Sequence, residues 1–276
     1  MRELQANAII APLAQKIKHA LTHVDDAACA LIEGAKNRET TPLCRWALEQ
    51  ILENDRIAAE KDAYACQDCG QAVLFVSLGQ DLHIVGDLKA ALTQAVRLGY
   101  ADARKSVADP LTRINTQTNT PAILHFDIVP GDKLTVQYLA KGAGSENMGC
   151  VAMLTPSTGR EGIVDTVVSC VTRAGSSPCP PVFLGVGIGG TMDLCALLSK
   201  KALLRNLGKP HENAEVAALE AEILQRVNQT GIGAQGYGGA VTALSVAVET
   251  APTHIGMLPV AVTVQCHSDR RCTIEF

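Results

Sequence analysis

The sequence has few aromatic residues, no surplus of positive charge and no long apolar segment. Phe, Trp and Tyr make up 3% of its 276 residues although 47% are hydrophobic, so a globular chain with a core of smaller apolar side chains is expected. A net charge of -4 with scattered Lys and Arg argues against binding to nucleic acid. No segment approaches the roughly 20 apolar residues that span a bilayer, and the charged N-terminus does not resemble a signal sequence. We therefore predict a cytoplasmic protein that binds neither nucleic acid nor membrane.

Cysteine, in contrast, is abundant, with ten in the chain. Without a secretion signal these thiols are expected to be buried side chains, metal or cluster ligands, or a redox pair, and not a disulfide framework. Some of them fall on the apolar faces of predicted helices, where cysteine usually packs as a small hydrophobic residue. We assign four to the core on this basis: Cys29, Cys44, Cys170 and Cys195.

Helical periodicity covers the chain from Glu3 to about Asp62, and strands alternate with helices after it. The turn sequence Pro130-Gly131-Asp132 between two apolar segments predicts a β-hairpin. Strands are predicted at 72–78, 122–129, 134–138, 182–186, 241–248 and 259–264, and helices after Asp87 and at 161–173, 191–205 and 212–228. A hairpin breaks a strict alternation of parallel strands and helices, so we predict an α+β fold in which helices cover a mixed sheet. We expect one domain, 1–276, with a helical cap at 1–62 and the mixed sheet with its helices at 63–276.

Three further cysteines, Cys66, Cys179 and Cys266, lie at the ends of predicted elements. A rigid scaffold often presents functional side chains at such positions, and prolines hold the backbone around Cys179 extended. A cubane cluster held by only three thiolates leaves one iron open to a hydroxyl or carboxylate. The spacing of the three matches no compact ferredoxin pattern, so inert buried thiols remain the alternative at this point.

Two short patterns suggest other chemistry. Cys66 and Cys69 form a C-x-x-C pair, which fits a redox pair or half of a zinc site, but no second pair or neighbouring histidines complete it. The glycines of 185–190 fit G-x-G-x-x-G between a strand and a helix, the dinucleotide-binding pattern. The second parallel strand and the acidic residue of a nucleotide fold are not predicted, so an anion at these amides is the more reasonable expectation.

Few polar residues are candidates for binding a substrate. The Arg104-Lys105 pair is the best placed to bind a carboxylate, and the loop at 141–145 offers backbone amides. An ordinary surface role remains open for both. Among the isolated histidines only His267, which adjoins Cys266, is a functional candidate.

Four segments occur together in an order and separation that are specific even though each is weak alone. They are Cys66-Gln67-Asp68-Cys69-Gly70, Lys141-Gly142-Ala143-Gly144-Ser145-Glu146-Asn147, Pro178-Cys179-Pro180-Pro181 with Gly185 to Thr191, and Cys266-His267-Ser268-Asp269-Arg270. From about residue 10 to the C-terminus the sequence resembles the class I fumarase and L-tartrate dehydratase α-subunit family. The resemblance implies a 4Fe-4S cluster on Cys66, Cys179 and Cys266.

The resemblance also assigns substrate contacts. It implies that Gln67 and Asp68 contact the substrate and that Asp68 assists proton transfer. It further implies that Arg104 binds a substrate carboxylate and that the loop containing Gly142 and Gly144 offers a backbone amide.

The sequence departs from the family at two positions beside this predicted site. Cys69 stands where the family usually has Thr, and Ala143 stands where it usually has Gly. Cys69 is either a near-isostere of Thr or a second thiol that tunes the cluster. Ala143 restricts a backbone conformation that Gly allows.

The resemblance implies the α subunit of a hydro-lyase that hydrates fumarate reversibly to L-malate. Dehydration of L-tartrate to oxaloacetate is the alternative within the family, and a non-catalytic iron–sulfur or zinc-binding subunit is the alternative outside it. Single-chain family members continue into a further domain, so we expect a separate β subunit of roughly 200 residues, the size of one domain. The β subunit is expected to supply the principal base, in an α2β2 assembly.

Overall fold

The structure, a computed structural model, describes residues 2–276. The helices are α1 (Asn7–Thr22), α2 (Asp26–Arg38), α3 (Pro42–Glu60), α4 (Leu88–Gly99), α5 (Ala143–Glu146), α6 (Gly159–Ala174), α7 (Met192–Ala202) and α8 (Ala214–Asn228). The strands are β1 (Arg2–Gln5), β2 (Gln71–Gly79), β3 (Leu82–Val85), β4 (Ile123–Val129), β5 (Leu134–Lys141), β6 (Cys150–Leu154), β7 (Val182–Gly189), β8 (Ala243–Ala251), β9 (Leu258–Gln265) and β10 (Arg271–Glu275). Every predicted strand and helix coincides with one of these elements, whereas β1 lies inside the region predicted to be helical.

Contacts divide the chain into two compact units. Unit 1 comprises 2–25, Asp55–Ala143 and Arg270–Phe276, and unit 2 comprises Asp26–Asn54 and Gly144–Asp269. The helices of the predicted cap are divided between them, because α1 belongs to unit 1 and α2 to unit 2. The assignment of 1–276 to one domain stays a prediction.

Unit 1 contains a four-stranded sheet in the order β10-β5-β2-β4. β2 pairs with β4 in parallel and with β5 antiparallel, and β5 pairs antiparallel with β10. The connection from β2 to β4 passes through α4, as parallel neighbours require. A separate two-stranded sheet joins β1 and β3 in parallel.

The predicted hairpin of 122–129 and 134–138 is wrong. Its two strands exist as β4 and β5, but β2 lies between them in the sheet. The reason is burial: five consecutive residues of β2, Ala72 to Val76, are buried, which suits a central strand, whereas β4 is largely exposed and suits an edge.

Helices α1 and α4 form one layer of the unit 1 core. Ile9, Leu13, Ile17 and Leu21 recur every four residues along α1, and each side chain is 0% exposed. The helix α4 begins after its predicted N-cap, Asp87, whose carboxylate accepts a hydrogen bond of 2.9 Å from a first-turn amide. Both helices pack against each other and share a core with β2 and β5. Among residues 2–276, no helix has both the length and the apolar character to cross a bilayer.

Unit 2 contains a second four-stranded sheet, in the order β6-β9-β7-β8. β7 and β8 are parallel, and the other two pairs are antiparallel. All eight residues of β7 are buried because α7 covers one face while α6 and α8 pack on the other. Two mixed sheets with helices confirm the predicted α+β fold class.

Two glycines of β7 allow α7 to lie directly on the strand. A Cβ on Gly185 would lie 2.0 Å from the carbonyl oxygen of Ser199, and a Cβ on Gly187 would lie 2.0 Å from that of Cys195. Alternate residues of a strand face the same side, so both glycines face α7. Close packing of helix on strand therefore explains these two positions of the G-x-G-x-x-G pattern without a nucleotide.

The two sheets share a topology that determines where the candidate residues lie. In each, a central strand (β2 or β7) pairs in parallel with an edge strand on one side and antiparallel with β5 or β9 on the other. The N-terminal end of each central strand therefore lies beside the C-terminal end of its antiparallel neighbour. Of the cysteines predicted as cluster ligands, Cys66 and Cys179 precede the central strands and Cys266 follows β9.

Candidate active site

The sheet of unit 1 brings together the segment before β2 and the segment after β5. Gln71 pairs with Lys141 at the end of the antiparallel ladder. The motif at 66–70 precedes β2 directly and Gly142 follows β5 directly, so both lie at this end of the sheet. A Cβ on Gly142 would lie 3.0 Å from Oδ2 of Asp68, so the absence of a side chain here lets the two segments meet.

Asp68 is fixed from three directions within unit 1. Its Oδ1 accepts a hydrogen bond from the amide of Gly70 at 2.9 Å, and its Oδ2 accepts one from the amide of Ala143 at 2.7 Å. The guanidinium of Arg270, which is 1% exposed, donates to the peptide oxygen of Asp68 at 2.5 Å. The amide that the 142–144 loop offers through Ala143 is thus occupied by Asp68 in this structure.

The two cysteines of the C-x-x-C pair lie in different environments. Cys66 is half-buried and its Sγ lies 3.6 Å from Oε1 of the exposed Gln67. Cys69 is 1% exposed and packs in the unit 1 core, where burial raises the pKa of its thiol and a hydrogen bond from the backbone of Arg104 partly offsets this. Cys69 therefore packs as a small core residue, and its two interpretations, a near-isostere of Thr or a second thiol that tunes the cluster, stay predictions.

Arg104 is exposed, and its main chain is held by a buried asparagine. Asn119 donates from Nδ2 to the peptide oxygen of Arg104 at 2.8 Å and accepts at Oδ1 from the amide of Ser106 at 2.6 Å. Lys105 donates from Nζ to the peptide oxygens of Tyr100 and Ala101, just after α4, so its ammonium is already hydrogen-bonded. Of the predicted Arg104-Lys105 pair, Arg104 is the better placed to bind a carboxylate.

The sheet of unit 2 brings two of the three predicted ligands to one end. Phe183 of β7 pairs with Gln265 of β9. Cys179 lies three residues before β7 and Cys266 directly follows β9, so both lie at the same end of the sheet. Cys179 is the one exposed cysteine among the ten, all of which the structure describes, and Cys266 is half-buried with Sγ 3.7 Å from the peptide oxygen of Ser268.

Neighbouring loops of unit 2 contact the residues on either side of the exposed Cys179. Its φ of +56° is a conformation that side chains rarely adopt. The next peptide oxygen, of Pro180, accepts hydrogen bonds from the backbone amide and the side-chain Nε2 of Gln235, at 2.7 and 2.9 Å. Gly144 belongs to this unit, where a Cβ would lie 3.1 Å from the peptide oxygen of Ser177. Sequence reasoning missed Gln235, and the only signal was the glycine-rich segment around it.

The cysteines assigned to the core behave as expected in three of four cases. Cys44, Cys170 and Cys195 are buried, and the thiol of Cys44 donates to the peptide oxygen of Gly238 at 2.9 Å. Cys29 is only half-buried.

The predicted site residues are distributed over both units. Unit 1 holds Cys66, Gln67, Asp68, Arg104 and Gly142, and unit 2 holds Gly144, Cys179 and Cys266. Among residues 2–276, no three or more His, Cys, Asp or Glu side chains are grouped so that they could hold a metal ion. The three-cysteine ligand set and the substrate contacts therefore stay predictions.

Comparison with known proteins identifies the family. A family model described as fumarate hydratase (Fumerase) matches residues 10–275. A protein of Methanocaldococcus jannaschii, provisionally named L(+)-tartrate dehydratase subunit alpha, is 40% identical over 251 residues, which cover 87% of each chain. The L(+)-tartrate dehydratase subunit alpha of Escherichia coli strain UTI89 is 32% identical over 260 residues, 92% of this chain and 86% of the relative. The chain belongs to the fumarate hydratase family of hydro-lyases, as the sequence motifs predicted.

Proposed function

We propose that this chain is the α subunit of an iron–sulfur hydro-lyase that hydrates fumarate reversibly to L-malate. The observation that carries the proposal is the match to the fumarate hydratase family over residues 10–275. The fixed position of Asp68 against Gly142 and Ala143 after β5 supports it, because a preorganised polar site is what an elimination reaction needs.

The proposal assigns a 4Fe-4S cluster to Cys66, Cys179 and Cys266. The donor set fits such a group, because none of the three cysteines is in a disulfide, none is buried, and each adjoins the end of a strand or the loop before one. When bound, a cluster on three thiolates supplies a Lewis-acidic iron with one position open to hydroxyl and carboxylate oxygens.

The remaining residues bind and orient the substrate. The guanidinium of Arg104 forms paired hydrogen bonds with one substrate carboxylate, since its planar fork matches that group. The amide of Gln67 donates to a substrate oxygen. Asp68 moves a proton, because each of its carboxylate oxygens retains a further lone pair beyond the backbone hydrogen bond that fixes it.

The proposal includes a separate β subunit. The relatives are named as α subunits, which implies a partner chain. We infer that this partner, of roughly 200 residues as one domain commonly is, supplies the principal base and that the assembly is α2β2. We place the enzyme in the cytoplasm, where cysteines stay reduced, because none of the ten cysteines is in a disulfide.

Dehydration of L-tartrate to oxaloacetate is the second candidate. The names of the relatives favour it, because the Methanocaldococcus and Escherichia coli proteins are both named for tartrate. The chemistry is the same elimination of water from a 2-hydroxy dicarboxylate. L-Malate and L-tartrate differ by one hydroxyl, and a site built to hydrogen-bond that hydroxyl rejects the molecule that lacks it.

The test compares both substrates with one enzyme preparation. The chain is co-produced with its β partner, its cluster is assembled anaerobically, and malate and oxaloacetate formation are measured. We expect kcat/KM for fumarate to exceed that for L-tartrate by about tenfold or more, and the α chain alone to turn over poorly. A higher kcat/KM for L-tartrate would show that L-tartrate, and not fumarate, is the substrate. If a cluster-loaded complex turned over neither compound, the hydro-lyase proposal would be contradicted.

A further inference from the structure

One edge of the unit 1 sheet exposes apolar side chains. β4 is the last strand in the order β10-β5-β2-β4, so it has a neighbouring strand on one side only. Three of its seven residues are exposed apolar side chains, Ile123, Phe126 and Ile128, and Ile128 is 73% exposed. Leu124 packs against the unit 1 core, and alternate residues of a strand face the same side of the sheet. The apolar row of Leu124, Phe126 and Ile128 therefore begins at the core and continues onto the surface.

The other three edges of the two four-stranded sheets are protected against pairing. On β8, the amide of Val248 donates to Glu220 and its peptide oxygen accepts from Arg205, so side chains occupy main-chain groups of that edge. The strands β6 and β10 have only five residues each, and β10 begins with Arg271 and ends with Glu275. Short strands and charged residues commonly prevent edge strands from pairing. β4 is longer and contains no lysine, proline or glycine, so it is the edge best suited to accept another strand.

The sequence of β4 keeps its chemical pattern when it is read backwards. Phe126 is the central residue, two aliphatic residues stand at each end, and His125 and Asp127 flank the centre. An antiparallel pair of two copies centred on Phe126 therefore sets His125 of each copy opposite Asp127 of the other. An imidazole N–H donates to a carboxylate in the neutral and in the charged form of histidine, and complementary groups on opposite strands stabilise their pairing. This complementarity favours a second copy of the chain as the occupant of the edge.

The same register matches the apolar residues. Leu124 lies opposite Ile128 of the second copy, and the two Phe126 side chains lie opposite each other on the same face of the sheet. Residues opposite each other in an antiparallel pair have Cβ atoms about 4.5–5.5 Å apart, so these side chains are in contact. A register centred on Asp127 would instead set two carboxylates opposite each other, which is destabilising. The register centred on Phe126 is therefore the favoured one.

We propose that two copies of the chain associate through β4, in an antiparallel pairing centred on Phe126 that joins the two unit 1 sheets into one sheet of eight strands. The contact has two-fold symmetry, because the same strand lies on both sides of it. It supplies the contact between the two α chains of the proposed α2β2 assembly. It uses none of the residues assigned to the cluster or the substrate, so its test is independent of the hydro-lyase proposal.

The first test measures the mass of the full-length chain by analytical ultracentrifugation, in dithiothreitol so that disulfides between chains do not form. We expect wild type to dimerise with a Kd below about 100 μM. Ile128→Lys sets a lysine opposite Leu124 twice in each dimer, so we expect Kd to rise about tenfold for each copy and about 100-fold in total. The control is Leu111→Lys, at an exposed loop position of the same unit, which should leave Kd unchanged. A wild-type chain that stays monomeric at about 100 μM, or an unchanged Kd in Ile128→Lys, would overturn the proposal.

The second test measures the register and does not depend on a lysine variant. In the proposed pairing the two copies of position 126 have Cα atoms about 4.5–5.5 Å apart, within the range of a disulfide. The two copies of position 128 are about 14 Å apart, because each residue advances about 3.4 Å along a strand.

Mild oxidation of the full-length chain followed by peptide mapping distinguishes these positions. We expect a disulfide between the two copies of position 126 in Phe126→Cys, and none between the two copies of position 128 in Ile128→Cys. Mapping assigns each disulfide to its residues, so bonds formed by the ten native cysteines do not obscure the result. Absence of the link in Phe126→Cys, or equal linking in both variants, would contradict the proposed pairing.

Discussion

Asp68 is held more completely than any other predicted substrate contact in unit 1. Both carboxylate oxygens accept hydrogen bonds from main-chain amides, and its own peptide oxygen accepts one from the buried Arg270. An asparagine at this position would have only one acceptor oxygen. Either the amide of Gly70 or that of Ala143 would then face the NH2 group of the side chain, which cannot accept its hydrogen bond.

We expect Asp68→Asn to lower kcat by about 100-fold or more, since a positioned proton-transfer group commonly contributes this much. The iron content of the reconstituted protein should be unchanged, because Asp68 is not assigned as a ligand. Steady-state fumarate hydration and iron analysis measure the two quantities. Asp81→Asn, at an exposed turn position, is the control. Activity of Asp68→Asn within about twofold of wild type would show that the carboxylate moves no proton in the rate-limiting step.

The sequence identified the candidate residues that occur in short motifs but not the residues that hold them. The side chain of Asn119 donates a hydrogen bond to the peptide oxygen of Arg104, 15 positions away, and that of Gln235 donates one to the peptide oxygen of Pro180, 55 positions away. Neither contact has a periodicity or a spacing that marks it, because each depends on how distant loops meet. The environment of Cys69 likewise became clear only when its burial was known.

At the scale of elements, the packing of α7 on β7 depends on the absence of a side chain at Gly187. A Cβ there would lie 2.0 Å from the main-chain oxygen of Cys195, which cannot move without displacing the helix. We expect Gly187→Ala to lower the free energy of unfolding by about 1–3 kcal/mol or more, the cost of overpacking a core. Urea denaturation measures the change.

A matched glycine substitution should have the opposite sign. Gly34 lies inside α2, where the nearest atom to an added Cβ would be the end of the flexible Arg38 side chain at 3.5 Å. Gly34→Ala should raise the free energy of unfolding by up to about 1 kcal/mol, because alanine favours the helix. Equal effects of the two substitutions would contradict the packing described for β7 and α7.

Glu39 joins the start of α3 to the segment before β8 within unit 2. It is 1% exposed, and it accepts hydrogen bonds from the amides of Thr40 at 2.9 Å, Thr41 at 3.0 Å and Ala240 at 2.9 Å. Burial raises the pKa of Glu39, but the backbone hydrogen bonds outweigh it and hold the pKa below its usual value. The ionised carboxylate therefore stabilises the folded state above the unfolded pKa of about 4.3, and this stabilisation is lost as pH falls through the lower folded value.

We expect Glu39→Gln to be less stable than wild type at pH 7 by about 1–3 kcal/mol, since one buried amide loses its acceptor. The difference should shrink from about pH 5 downward, because the wild-type carboxylate then becomes neutral as well. Urea denaturation at a series of pH values measures it, with the exposed Glu212→Gln as control. A difference that does not change with pH would contradict the assigned role of the charge.

Strand pairing was the part of the element pattern that the sequence predicted least well. The positions of β4 and β5 were predicted, but a hairpin was inferred from the turn between them, and burial places β2 in the middle instead. Sequence neighbours often pair, but a strand with a continuous apolar segment competes for the central place. The strand β1 was missed because its four residues pair with β3, far along the chain.

At the scale of the whole molecule, the family and the fold class were predictable because several motifs had to occur together and the strands and helices were strongly patterned. The division of the contacts into two units was not, since the N-terminal helices show one continuous periodicity yet belong to different units. Both sheets pair a central strand antiparallel with a strand from elsewhere in the chain. In each sheet the start of the central strand therefore lies beside the end of its neighbour, and Cys66, Cys179 and Cys266 adjoin these strand ends.

The most direct test of the account is the iron and sulfide content of single cysteine variants after anaerobic reconstitution. The account predicts about four iron atoms and four sulfides per wild-type chain. Cys66→Ser, Cys179→Ser and Cys266→Ser should each lose most of this content and the visible absorption band, whereas Cys29→Ser and Cys195→Ser should retain both. A full complement of iron and sulfide in any of the first three variants would contradict the assignment of the cluster to those three thiolates.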